Sequence, residues 1–118
     1  MRKGLGGAWR QGGHLAAVCK FALENYEEPI RRDHSTAAEW ANQLSDLGFE
    51  IVKPQTNIVL VDLETSEKAE IFVENLATKE IYLQQAAEPN FVRAVFHRSA
   101  DYSKIEYSID TIRKLKYR

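Results

Sequence analysis

The sequence predicts an α+β domain, a small and mostly antiparallel sheet covered by helices. Three observations lead there. The chain has 118 residues, enough for one core and too few for two ordinary domains. Its composition is 44% hydrophobic and 28% charged, which is globular rather than disordered. Helical and strand-like periodicities follow one another as helix, helix, strand, strand, helix, strand, strand, helix, with few of the long crossovers that parallel strands need.

The first helix follows the glycine-rich stretch "GLGGAWRQGG" (4–13), with Leu15, Val18/Cys19, Ala22 and Tyr26 at one-face spacing. It ends near "ENYEEP", where Pro29 cannot continue it but can open the next helix. Ile30, Ala37, Trp40/Ala41, Leu44 and Leu47 form the apolar stripe of that second helix, and Gly48 is placed to stop it in a left-handed conformation. Pro54 argues against one unbroken strand, so "FEIVKPQTNIVLVDL" reads as a short strand at 49–52, a bend, and a main strand at 57–62. That second strand is apolar on both faces and is expected to be well buried. Ser66 is the expected cap of a third helix with Ala69, Phe72/Val73 and Leu76 inward. "EIYLQQ" reads as a short strand or edge, and "FVRAVFH" (91–97) as an alternating strand. "SKIE" is a capping box in which Ser103 and Glu106 bond each other's amides, opening a helix with Ile105, Ile109 and Ile112 on one face.

Charge and composition exclude several functions. Sixteen basic and seventeen acidic residues give a net charge of -1, with no global reason to bind nucleic acid or a membrane surface. The basic end "RKLKYR" (113–118) suits the last turn of a helix, where cations meet the negative end of the dipole. One cysteine, Cys19, allows no internal disulfide or cysteine zinc site; it is expected to pack in the core, and a reducing cytosol or organelle interior fits. There is no apolar run of membrane-spanning length and no apolar signal-like stretch at the start. His14, His34 and His97 lack metal-site spacing, so no metal is expected.

Two places carry candidate chemistry. The glycine stretch is neither a P-loop nor a dinucleotide fingerprint, since no Gly-Lys-Ser/Thr follows it and no strand precedes it. It reads either as a flexible linker or as an anion site, in which Lys3 and Arg10 flank the amides of a helix start. Trp9 follows the glycines where packing has not yet begun, so it is a candidate to face a partner or ligand. Arg93 lies inside a strand otherwise reading "FV-AVF". It is either a residue of an exposed edge face or a carboxylate clamp. Period two puts it on the face of Val95 and His97.

Four segments together resemble one family. "RKGLGGAWRQGGHLAAVCKFALEN" is similar to the stretch after the cofactor lysine in low-specificity L-threonine aldolases, "DHSTAAEWANQL" to a helix of that family, "VKPQTNIVLVDL" to its Pro-x-Thr-Asn-Ile-Val strand, and "VRAVFHRSADYSKIEYSID" to its Val-Arg-x-Val-x-His strand and following helix. The order and spacing agree over nearly the whole chain. Ala8, Trp9, Gly12, Arg98 and Ser99 depart from the family pattern.

The resemblance implies the C-terminal portion of a fold type I pyridoxal-phosphate enzyme. Residues 1–28 would be the inter-domain segment and helix, and 29–118 the small C-terminal domain. The large domain, with the lysine that bonds the cofactor, is expected to be absent from this chain. Lys3 is not that lysine, because it keeps the family's spacing of seven from the motif arginine, here Arg10. The implied enzyme is a lyase of threonine catabolism and glycine biosynthesis. It cleaves a β-hydroxy-α-amino acid, such as L-threonine or L-allo-threonine, to glycine and an aldehyde. Its cofactor is pyridoxal 5′-phosphate, its partner a small amino-acid substrate, and its expected state a cytoplasmic homo-oligomer. The carried-over sites are Arg93 for the substrate carboxylate and Lys3 and Arg10 for the cofactor phosphate. No catalytic residue is expected in this chain, which alone should be inactive.

Two rivals remain. One is a free-standing α+β interaction module, which predicts a polar or covered first helix. The other is the small domain of a different pyridoxal-phosphate β-eliminating lyase or aminotransferase. The aldolase reading predicts an exposed apolar patch around Trp9 and the first helix.

Overall fold

Among the described residues, eight elements form in the expected order. The computed structural model describes Gly4, residues 10–100 and residues 102–116. The helices are α1 (Gly13–Asn25), α2 (Glu27–Asp46), α3 (Ser66–Ala77) and α4 (Tyr102–Lys116). The strands are β1 (Glu50–Val52), β2 (Ile58–Asp62), β3 (Gln84–Gln85) and β4 (Phe91–Val95). All strand pairs are antiparallel, in the order β1-β2-β4-β3.

α2 ends where Gly48 takes φ 81°, a conformation that costs a residue with a Cβ. The Phe49 amide bonds the Leu44 carbonyl at 3.1 Å and the Gly48 amide bonds Ser45 at 2.8 Å, the two bonds of a Schellman motif. The turn delivers the chain into β1, whose register with β2 runs from Glu50↔Asp62 to Val52↔Leu60.

Alternation then divides the sheet into two unlike faces. Val59, Val61, Val92 and Ala94 point inward and are buried. They join Ala37, Trp40, Ala41 and Leu44 of α2, Leu76 of α3, and Ile105, Ile109 and Ile112 of α4 in one core, so the packing helices cover a single face. The Trp40 and Phe96 rings lie 5.4 Å apart at 59°. The indole Nε1 of Trp40 donates to Ser108 Oγ at 2.9 Å, and that hydroxyl donates to the Ile105 carbonyl at 2.7 Å. This buried polar pair is fully partnered, as burial requires.

Several expectations need correction. The main strand is buried on one face only: Ile58 is exposed and Leu60 half-buried, because no described helix covers that side. The cap of α3 is Thr65 rather than Ser66. Thr65 has the extended conformation a cap needs, φ -134° and ψ 155°, and its hydroxyl accepts from the Lys68 amide at 3.2 Å. α4 begins at Tyr102, so Ser103 lies inside its first turn rather than at the cap position before it. Ile30 is exposed although it falls on the stripe of α2, because the core begins only at Ala37. Cys19 is exposed rather than packed, for the reason given next.

No residue of α1 is buried. Leu15, Val18, Phe21 and Leu23 all face solvent, with Phe21 67% exposed. The helix leads into α2 through Tyr26 alone, itself near helical at φ -85° and ψ -26°. It stands away from the sheet, and the Cα trace measures 59 × 28 × 26 Å. The radius of gyration is 18.3 Å, against about 13.5 Å for a compact domain of this length. A helix of 13 residues gains little stability without a packed face.

Candidate functional site

Arg93 is the third residue of β4, between Val92 and Ala94, which point into the core. Period two therefore puts its side chain on the uncovered face with Val95, as expected, and His97 just beyond the strand is exposed too. Its register neighbours are Leu60 on β2 and Gln84 on β3. The guanidinium Nη2 donates to Gln84 Oε1 at 2.5 Å. Among the described residues Arg93 has no ion-pair partner. The carboxylate of Asp62, on the same face of β2, is engaged elsewhere: its Oδ1 accepts from the Glu64 amide at 2.7 Å and from Asn90 Nδ2 at 2.8 Å. Arg93 is thus an exposed cation in an apolar surround formed by Val52, Ile58, Leu60 and Val95.

Arg10 is exposed and lies in the turn before α1. Gly12 caps that helix with φ -60° and ψ -11°, no side chain caps its first amides, and no acidic residue lies in its first turn. These are the conditions under which a helix start attracts an anion. A Cβ added at Gly4 or Gly13 would meet nothing within 4 Å, so neither glycine is required by contacts in this chain. Lys3 and Trp9 lie outside the described residues.

The sites are not brought together within this chain. A cleft of about 810 Å³ lies where α1 meets α2, lined among others by Val18, Phe21, Tyr26, Ile30 and Arg98. Two smaller clefts, of about 610 and 350 Å³, flank α3 and α4. None of the three is lined by Arg93 or Arg10. Arg93 has no ion pair among the described residues and stands on an open face rather than in one of these clefts. Arg98 and Ser99 follow it in a tight turn: the Ser99 amide donates to His97 Nδ1 at 3.3 Å and the Ala100 amide to the His97 carbonyl at 2.7 Å. Among the described residues no three His, Cys, Asp or Glu side chains cluster to hold a metal, and no helix is long and apolar enough to cross a membrane. Gln84 is the site neighbour that sequence reasoning missed. Its only signal was membership of an expected edge strand, and the register that brings it to Arg93 is not written in the local sequence.

The one-sided α+β architecture is shared with solved structures of pyridoxal-phosphate enzymes. A NifS-like protein superposes with a TM-score of 0.73 over 86% of this chain and 32% of its own, at 14% identity. A C-DES mutant with glycine covalently linked to its PLP cofactor gives 0.65 over 74% of this chain and 24% of its own, at 21% identity. Residues 1–66 match the family model for beta-eliminating lyases, and the chain belongs to that family.

The resemblance to threonine aldolases holds as well. The low specificity L-threonine aldolase of Escherichia coli is 40% identical over 60 residues, 51% of this chain and 18% of that protein. Low-specificity L-threonine aldolase 1 of Arabidopsis thaliana is 30% identical over 114 residues, 92% of this chain and 32% of its own length. The chain spans about a third or less of the length of these relatives.

Proposed function

We propose that this chain is the inter-domain segment (1–28) and small domain (29–118) of a pyridoxal-phosphate lyase that cleaves a β-hydroxy-α-amino acid of the L-threonine class to glycine and an aldehyde. The observation that carries the reading is Arg93. It is an exposed guanidinium with one neutral partner among the described residues, on a sheet face that no described helix covers. A buried arginine would need a carboxylate partner; this exposed one keeps its charge in water and can receive a carboxylate from a ligand, held bidentately by the guanidinium fork. The threonine aldolase relatives favour that substrate class over other lyases of the fold.

The residues present fit the phosphate of the cofactor in part. Arg10 and the uncapped amides opening α1 form a donor set suited to an anion, with Lys3 as a second cation. When bound, the cofactor supplies the electron sink for the charge left on the substrate Cα as the Cα–Cβ bond breaks. Arg93 fixes the carboxylate, and hence the direction in which that bond points. The covalent lysine and the groups that hold the ring come from the rest of the enzyme, so the chain alone is inactive. The exposed apolar surface of α1 is where that remainder packs, in a cytoplasmic homo-oligomer. A free-standing interaction module would have a polar or covered α1, which the exposure of Leu15, Val18, Phe21 and Leu23 does not favour.

The test is Arg93→Ala in the complete enzyme. It should lower kcat/KM for L-threonine by about 2–5 kcal/mol in transition-state stabilisation, with cofactor binding kept. Loss of cofactor or of folding with substrate affinity retained would make Arg93 structural and end the assignment.

A further inference from the structure

We infer that Gln84 is a positioning residue for Arg93: its neutral carboxamide holds the guanidinium on the open sheet face without neutralising the charge. This rests on the carboxylate-binding reading of Arg93. The geometry is specific. Gln84 and Arg93 are register partners on adjacent antiparallel strands, and Nη2 of Arg93 donates to Oε1 of Gln84 at 2.5 Å. β3 has only two residues, and alternation turns only the first to this face. The second, Gln85, instead donates from Nε2 to the Pro89 carbonyl at 3.4 Å. The register is set by a tight connection, in which the Ala86 amide bonds the Phe91 carbonyl at 2.8 Å and the Phe91 amide bonds Glu88 at 3.0 Å. On the other flank Leu60 offers no side-chain acceptor.

The residue type is as informative as the position. A free arginine side chain loses rotamer freedom when it binds a ligand, and anchoring it beforehand lowers that cost. A glutamate at position 84 would anchor it too, but would form an ion pair that a ligand carboxylate has to displace. The amide makes one hydrogen bond and leaves the remaining guanidinium donors and the full charge for the ligand. Gln84 touches no reacting atom in this arrangement; it acts through Arg93.

The test uses the complete enzyme with Gln84→Glu, Gln84→Met and Arg93→Ala. The readouts are steady-state kinetics on L-threonine and inhibition by glycine and by 1-amino-2-propanol, an amine without a carboxylate. Gln84→Glu should raise KM and the glycine inhibition constant about tenfold, the size of one charge-assisted hydrogen bond. Gln84→Met, which keeps length but has no strong acceptor, should raise both about threefold. In both variants kcat and inhibition by the amine should hold. If Arg93→Ala weakens glycine but neither Gln84 variant does, the inference about Gln84 falls and the reading of Arg93 stands. If Arg93→Ala leaves glycine inhibition unchanged, the reading of Arg93 falls and takes the inference with it. Equal weakening of glycine and the amine by the Gln84 variants would mark a general disturbance of the site and overturn the positioning role.

Discussion

Phe21→Ala separates a helix that is covered in the complete enzyme from one that is merely exposed. In this chain Phe21 is 67% exposed, so its truncation should change stability by no more than about 0.5 kcal/mol. A buried Phe→Ala change costs about 3–5 kcal/mol. The two thirds of the residue now in water is the part a docked surface would bury, so the same substitution in the complete enzyme should cost about 2–3 kcal/mol. Hydrogen exchange of the α1 amides measures both cases with one observable, because it reports local opening. In the isolated chain those amides should exchange almost unprotected, since a helix of 13 residues without tertiary packing is marginal. In the complete enzyme they should be protected, and Phe21→Ala should lower protection about 30- to 150-fold. Lys20→Ala is the control. Lys20 pairs with Glu24 at 3.8 Å on exposed surface, and such pairs are worth about 0.5 kcal/mol or less. Equal α1 protection in both forms, with Phe21→Ala changing neither, would refute the idea that the rest of the enzyme covers this helix.

Two further substitutions test the frame that carries the site. Ser108→Ala should destabilise the chain by about 1–3 kcal/mol in urea unfolding, because it leaves the buried Trp40 Nε1–H without its acceptor; combining it with Trp40→Phe should cost less than the sum of the two. Gly48→Ala should cost about 1–2 kcal/mol by the same assay, since φ at this position is 81°, and Gly48→Asn should recover part of the loss.

Element type and order were legible because they rest on periodicity. The stripe Ala37, Trp40/Ala41 and Leu44 on α2 and the triad Ile105, Ile109 and Ile112 on α4 are all buried where the spacing places them. Helix starts were harder. Thr65 and Ser66 are both competent caps, and only the backbone angles decide between them. The one-sided burial of β2 is not legible in "NIVLVDL", which is rich in apolar residues on both faces, because burial depends on what lies over each face. The same blindness to neighbours put Cys19 in a core that α1 does not share within this chain. The face from which Arg93 projects was legible from period two. Its partner was not, because cross-strand register joins residues 84 and 93 through a connection whose geometry the sequence alone does not fix.

The division of β4 into alternate inward and outward positions has a practical consequence for mutagenesis. Val92, Ala94 and Phe96 are tied to the core, so variation there is screened first by folding. Arg93, Val95 and His97 project from the other side, beside Ile58 and Leu60 of β2 and Gln84 of β3. A combinatorial library randomised at those outward positions would sample new surface chemistry while keeping most members folded. The same number of changes at the inward positions would yield mainly insoluble clones. The strand therefore offers laboratory evolution a set of separable dials, inward residues for the fold and outward residues for what the face binds.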